Sequence, residues 1–169
     1  MQYWDDVLYP PFRAMIRGEY YGVVTPNFID EECYNLARRA IVAFKFPKTP
    51  LTYTTFYATR DCWDDNELVE VTADDPNAVP HAYFNEEVGY AEIEILIAWM
   101  KVYWCESLIS NSDNFEDMYT DSNIKTYSRA NAVAQNIKMM AEFRDYAKDL
   151  ENRYSRVNAT GKASLGDVN

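Results

Sequence analysis

The stretch from Asn85 to Ile109 constrains the chain more than any other. Ile93, Leu96, Ile97, Met100, Trp104 and Leu108 recur at three- and four-residue spacings, the period of an α-helix. Ile95, Trp99 and Val102 give the same segment a second apolar face. A helix apolar on more than one face must be covered on more than one side, by other elements or by other copies of the chain. Asn85 can cap the start, and Glu86 and Glu87 would then sit in a first turn whose dipole favours negative charge. The spacing predicts a central helix over 86–109, roughly 36 Å long. Glu92, Glu94 and Lys101 interrupt any apolar run of the ~18 residues that a membrane span needs.

Two more helices are predicted around it. Over 30–44 the stripe is Cys33, Leu36, Ala37, Ala40, Ile41 and Phe44, with Asp30, Glu31 and Glu32 favouring the start. Over 124–154 the stripe is Ala130, Val133, Ala134, Ile137, Met140, Ala141, Phe143, Ala147, Leu150 and Tyr154, opposite a polar face. Between the first two, residues 51–84 turn to threonine, aromatics and short turns, which predicts a small β excursion. Residues 1–25 carry Trp4, Val7, Leu8, Phe12, Met15 and Ile16 around Pro10 and Pro11, an apolar arm that must dock on the body or on a neighbour. Residues 157–169 have no period and little bulk, which predicts a tail that orders only on a partner.

The expected fold is therefore mainly α: a helical bundle on two long antiparallel helices, with a small β insertion and extended terminal arms. The expected organisation is an arm over 1–25, a helical domain over 26–156 with its β insertion at about 51–84, and a tail over 157–169. The predicted core is Ile93, Leu96, Ile97, Met100, Trp104, Leu108, Ile137, Met140 and Leu150.

Charge is distributed unevenly. The chain has 27 acids and 16 bases, and eleven of the acids fall in residues 61–94, which contain no Lys or Arg. Outside that window acids and bases balance. A patch of this sign repels nucleic-acid backbones, which argues against sequence-reading DNA binding.

Little in the sequence carries chemistry. The one histidine, His81, has no triad signature around it, and a loop position is its simplest reading. No two of the five glycines stand close enough for a phosphate loop. A di-iron helical site needs Glu-x-x-His, and no predicted helix holds a histidine. Asp61, Asp64, Asp65, Glu67 and Glu70 lack the spacing of an EF-hand, so a solvated acidic loop is favoured over a cation site. Cys33, Cys62 and Cys105 are far apart and odd in number, as reduced thiols of a cytosolic protein would be. The opening residues lack the basic and apolar regions of a secretory leader. No catalytic residue, cofactor or metal is expected.

A helix, an acidic β excursion, a central helix carrying Glu94-x-Leu96-x-x-x-Met100-x-x-x-Trp104, a polar turn with Asp121-Ser-Asn-Ile-Lys-x-Tyr-Ser, a long closing helix and a polar tail follow in order. Over roughly residues 26–156 this resembles the head-to-tail connector, or adaptor, proteins of tailed bacteriophages. The resemblance implies a non-enzymatic virion protein of the neck, made in the host cytoplasm. It implies a twelvefold homo-oligomeric ring under the portal protein, in contact with further neck or tail proteins. Packaged DNA would pass through without specific binding, and no membrane would be involved. Asp61, Asp64, Asp65, Glu67, Glu70, Asp74 and Asp75 are then candidates to line the channel, where like charge lets a duplex slide. Val157, Leu165 and Val168 are candidates to contact the portal or a neighbouring subunit. The competing expectation is a small acidic cytosolic interaction module, or a nucleic-acid mimic that occupies a basic protein's site.

Overall fold

The computed structural model describes residues 1–15, 25–60, 68–112 and 124–163. The elements in order are β1 (Gln2–Tyr3), α1 (Trp4–Val7), α2 (Tyr9–Met15), α3 (Pro26–Ala43), β2 (Tyr53–Thr59), β3 (Val69–Glu70), β4 (Val79–Phe84), α4 (Tyr90–Ser112) and α5 (Ile124–Ala163). The chain divides into two compact units, Met1–Met100 and Lys101–Asn169, with the boundary inside α4.

The first unit overturns the expectation of a helical bundle. It is built on a four-stranded antiparallel sheet in the order β1-β4-β2-β3, so the fold is mixed α/β. The residues read as a β insertion form the heart of this unit, and the residues read as an N-terminal arm complete it. Gln2 pairs with Phe84 and Tyr3 with Tyr83. The Gln2 side chain extends the pairing: its Oε1 accepts from the Val88 N–H at 3.0 Å, and its Nε2 donates to the Val88 carbonyl at 3.3 Å.

Pro80 bars a strand on the β1 side from running the full length of β4. In the β2–β4 ladder Phe56 opposes His81 and Ala58 opposes Val79, and beyond the strand end the Asn85 N–H donates to the Thr52 carbonyl. Odd-numbered residues of β4 therefore bond β2, and even-numbered ones face the β1 side. Pro80, which has no N–H to give, sits on that side, where no strand can use it. The chain instead turns into α1, which packs on β4 and on α2. Pro10 and Pro11 fall in the first turn of α2, where missing N–H groups cost nothing.

Trp4, Leu8, Tyr9 and Phe12 are wholly buried. The Trp4 ring lies 4.7 Å from Tyr53, 5.5 Å from Phe84 and 5.7 Å from Tyr34, centroid to centroid. On the helical side, α3 buries Ile29, Cys33, Leu36, Ala37 and Ala40 and packs on β4. It starts at Pro26, four residues before the acids that were expected to open it, because Pro suits the first helical position. Asp30 is consequently inside the helix and fully buried.

The start of α4 also differs from its expected place. Glu86 and Glu87 lie before the helix and are exposed. Gly89 is the cap: its carbonyl accepts from Glu92 and Ile93, and its N–H donates to Glu92 Oε2 at 3.1 Å. The contact of the Glu92 carboxylate with the Gly89 N–H is the carboxylate half of a capping box, with Glu92 at the third helical position. Glu92 Oε1 also accepts the N–H groups of Lys48 at 2.8 Å and Thr49 at 3.1 Å, so one buried carboxylate ties the loop after α3 to the start of α4. Glu92→Ala strands three backbone donors and is expected to cost about 3 kcal/mol in a denaturant titration. A loss below about 0.5 kcal/mol, the range of ordinary surface changes, would rule out this role. From Ile95 to Met100 every residue of α4 is buried, as two apolar faces require.

In the second unit α5 is 40 residues long, roughly 60 Å, and runs nine residues beyond the expected end at Tyr154. The tail expected from Val157 is thus helical to Ala163. The more covered positions include Val133, Asn136, Met140, Phe143, Ala147, Leu150 and Tyr154, with Met139, Arg144 and Glu151 beside them. The first seven set the stripe. They alternate three- and four-residue steps, the spacing of a helix–helix seam. Lys101 places its ammonium 5.5 Å from the Phe143 ring centre. Ile137 lies at the edge of the seam and is 48 % exposed, outside the core it was expected to join.

Candidate functional site: a buried ionic cluster

Four ionisable side chains from four elements meet inside the first unit. Asp5 comes from α1, Asp30 from α3, Arg60 from the end of β2 and His81 from β4. Arg60 Nη2 donates to Asp5 Oδ1 at 3.0 Å. Its Nε lies 3.0 Å from Asp30 Oδ2, an ion-pair contact set off the line of a hydrogen bond. His81 Nδ1 lies 3.0 Å and 3.1 Å from the two Asp5 oxygens, and its ring stacks on Phe56 with centroids 5.7 Å apart. Arg13 of α2 approaches Asp30 Oδ1 at 3.8 Å. The Arg60 backbone N–H donates to Asn27 Oδ1 at 2.9 Å, which holds the end of β2 against α3.

Burial dominates the electrostatics. Asp30 and His81 are wholly buried, and the Arg60 and Asp5 side chains are 5 % and 7 % exposed. Desolvation raises the Asp30 carboxyl above the ordinary aspartate value, and Arg60 is the largest influence opposing it. The Tyr9 hydroxyl is raised well above the usual phenol value, first by burial and then by Asp5, so it stays protonated. Cys33, close by on α3, is a free thiol pushed far up by the same burial, which makes it inert. Two carboxylates face two guanidiniums and one imidazole.

Two chemical readings meet this geometry. An aspartate on Nδ1 is how catalytic imidazoles are oriented, and His81 Nε2 has no hydrogen-bond partner among the described residues. A general base must reach a substrate proton, however, and both Nε2 and the Tyr9 hydroxyl are sealed from solvent. Asp5, Asp30 and His81 also bring ligand atoms within 4.8 Å of one another. Arg60 already supplies the positive charge between the two carboxylates. A divalent ion would have to expel a buried guanidinium or leave uncompensated charge in the core. The arrangement is suited to clamping: it joins the N-terminal segment, α3 and both central strands through partners that are all charged or hydrogen-bonded.

The sequence reading missed this cluster. Asp5 reads as an acid of a first helical turn, Asp30 as a helix starter and His81 as a loop residue. One signal was available: Arg60 is the sole Lys or Arg between Lys48 and Lys101.

Of the candidate channel residues, Asp61, Asp64, Asp65 and Glu67 lie outside the described residues. Glu70 is exposed on β3, Asp74 is exposed in the turn that follows, and Asp75 is half-buried there. Asp75 Oδ1 accepts the Asn77 N–H at 2.8 Å, so this carboxylate shapes its own turn. Val157 is 70 % exposed on α5, while Leu165 and Val168 lie outside the described residues. Ile93, Leu96, Ile97 and Met100 are buried; Trp104, Leu108, Met140 and Leu150 are half-buried. Cys105 is buried and unbridged, and Cys62 lies outside the described residues. No helix among the described residues is long and apolar enough to cross a membrane. No family model, no curated protein and no solved structure matches the chain.

Proposed function

We propose that the protein is a structural subunit of a bacteriophage neck: a ring-forming connector beneath the portal that carries the DNA channel toward the tail. The observation that carries this reading is how much large apolar surface a lone copy leaves uncovered. Phe28 is 48 % exposed, Phe46 66 %, Val42 85 % and Tyr90 85 %, and Ile137 is half out on α5. Exposed apolar side chains mark contact with other chains where they gather into a patch, and in this reading these residues are contacts with neighbouring copies. The buried cluster supports the reading from another side, since its chemistry is spent on rigidity. It anchors Arg60, and the acidic segment begins at the next residue. A rigid scaffold at the base of a segment is how a surface function is positioned.

In this assembly the segment with Asp61, Asp64, Asp65 and Glu67 faces the DNA path, and Val157, Leu165 and Val168 reach the portal or a neighbouring subunit. Native mass spectrometry of the purified protein, alone and with the portal, tests the reading. The expected species is a closed ring, twelvefold if it follows the portal. A monomer that ignores the portal and binds a basic protein instead would favour an acidic interaction module. An image of the ring on the portal then decides whether these carboxylates lie on the inner wall and whether the C-terminal residues reach the portal.

A further inference from the structure

The first unit is electrically polar along its length. From Cys33 to Arg60 the sequence contains five bases and no acid, immediately before a window of acids without bases. The fold turns this order in sequence into a separation in space. α3 runs antiparallel to β2: the Asn27 side chain meets Arg60 at the end of the strand, the Tyr34 hydroxyl meets Thr55 at 3.0 Å, and Arg38 bonds the Tyr53 side chain at its start. The basic half of α3 therefore lies at the end of the sheet where Tyr53 pairs with Phe84. Glu70 and the turn after it lie at the other end, where Ala58 sits between Val79 and Glu70. The seven residues of β2 separate the two by roughly 20 Å.

Each end also presents apolar side chains. At the basic end Arg39 and Lys45 are exposed around Val42 and Phe46, which are 85 % and 66 % exposed. At the acidic end Glu70 and Asp74 are exposed beside Val69, which is 57 % exposed. Glu86 and Glu87 follow β4 at the basic end, and Glu92 reaches the Lys48 and Thr49 N–H groups there, but Arg38, Arg39, Lys45 and Lys48 outnumber the three.

We propose that the basic, apolar end of one copy seats on the acidic, apolar end of the next. This names the subunit contact of the proposed ring and rests on that reading. The two surfaces differ, so the contact is head-to-tail, the type of contact that generates rings when its rotation closes. The apolar residues supply the contact area, and the opposite charges set orientation and register.

Charge exchange tests it. One variant carries Arg39→Glu and Lys45→Glu; the other carries Glu70→Lys and Asp74→Lys. Each alone is expected to self-associate at least about tenfold more weakly than wild type in sedimentation velocity at low salt, while melting as wild type does. An equimolar mixture is expected to restore assembly, because both of its junctions again join opposite charges. That restoration would also exclude misfolding as the cause of the losses. If the single variants assemble as well as wild type, the ring reading stands and the contact lies elsewhere. If both fail and the mixture does not restore assembly, the two ends do not meet each other. A wild type that stays monomeric at every salt concentration, alone and with the portal, would sink both the contact and the ring.

Discussion

Arg60→Ala is expected to cost about 3–5 kcal/mol of stability, as breaking a buried ion pair by removing one partner does. The substitution leaves Asp5 and Asp30 in the core without the guanidinium that lies against both. The loss should depend on pH in a defined direction. Burial raises the Asp30 carboxyl, and Arg60 is the largest influence holding it down. Without Arg60 its folded pKa rises further above the unfolded value. A carboxyl raised in this way favours the folded state below its unfolded pKa, and that contribution is lost as pH rises through the folded value. The stability deficit of the variant should therefore be largest near neutrality and shrink on acidification toward about pH 4, near the ordinary aspartate range. Urea titrations of both proteins across that range measure it. A deficit that is constant with pH would show that packing, and not charge, is what Arg60 provides.

Trp4→Ala should be comparably damaging, at about 3–5 kcal/mol, because it empties a wholly buried site walled by Tyr34, Tyr53 and Phe84. The variant reports on something different from Arg60→Ala. It asks whether the first few residues belong to the core of the unit or only rest on it. Trp4→Phe keeps most of the ring contacts and should recover part of the loss. A cost below about 0.5 kcal/mol for the alanine variant would place residues 1–15 outside the cooperative fold.

These two sites mark where reading the sequence stops. α3, the body of α4 and the seam of α5 were legible, because an apolar stripe repeats every turn and needs no distant information. Strands β2 and β4 lie within the segment whose threonines and aromatics announced them. The class of the fold was not legible, because the sheet is completed by Gln2 and Tyr3, two residues with no strand period of their own. Their partners lie about 80 positions away, and no local pattern encodes that pairing. The cluster was hidden for a related reason. Each of its acids has a respectable local role on a helix, and only the tertiary fold turns Asp30 inward. Glu92 shows the boundary sharply. Its neighbours Glu86 and Glu87 had the composition of a helix start, whereas Glu92 supplies the geometry, because Gly89 is the residue with a carbonyl facing the first turn.

The pairing of Gln2 with Phe84 and Val88 has a consequence for how the unit is made. Residues 2–12 leave the ribosome while the strand they must join does not yet exist, and the Gln2–Val88 contact spans 86 residues. Until β4 emerges, Trp4, Leu8, Tyr9 and Phe12 form a short apolar segment with nothing to cover it, a state in which chaperones or aggregation compete with folding. α3 and the pairing of β2 with β4 can form earlier from contacts closer in sequence, but closing the loop from Gln2 to Val88 must come later. This early stretch of chain is thus among the last placed, and its docking locks a unit whose α3 and central strands are already in position.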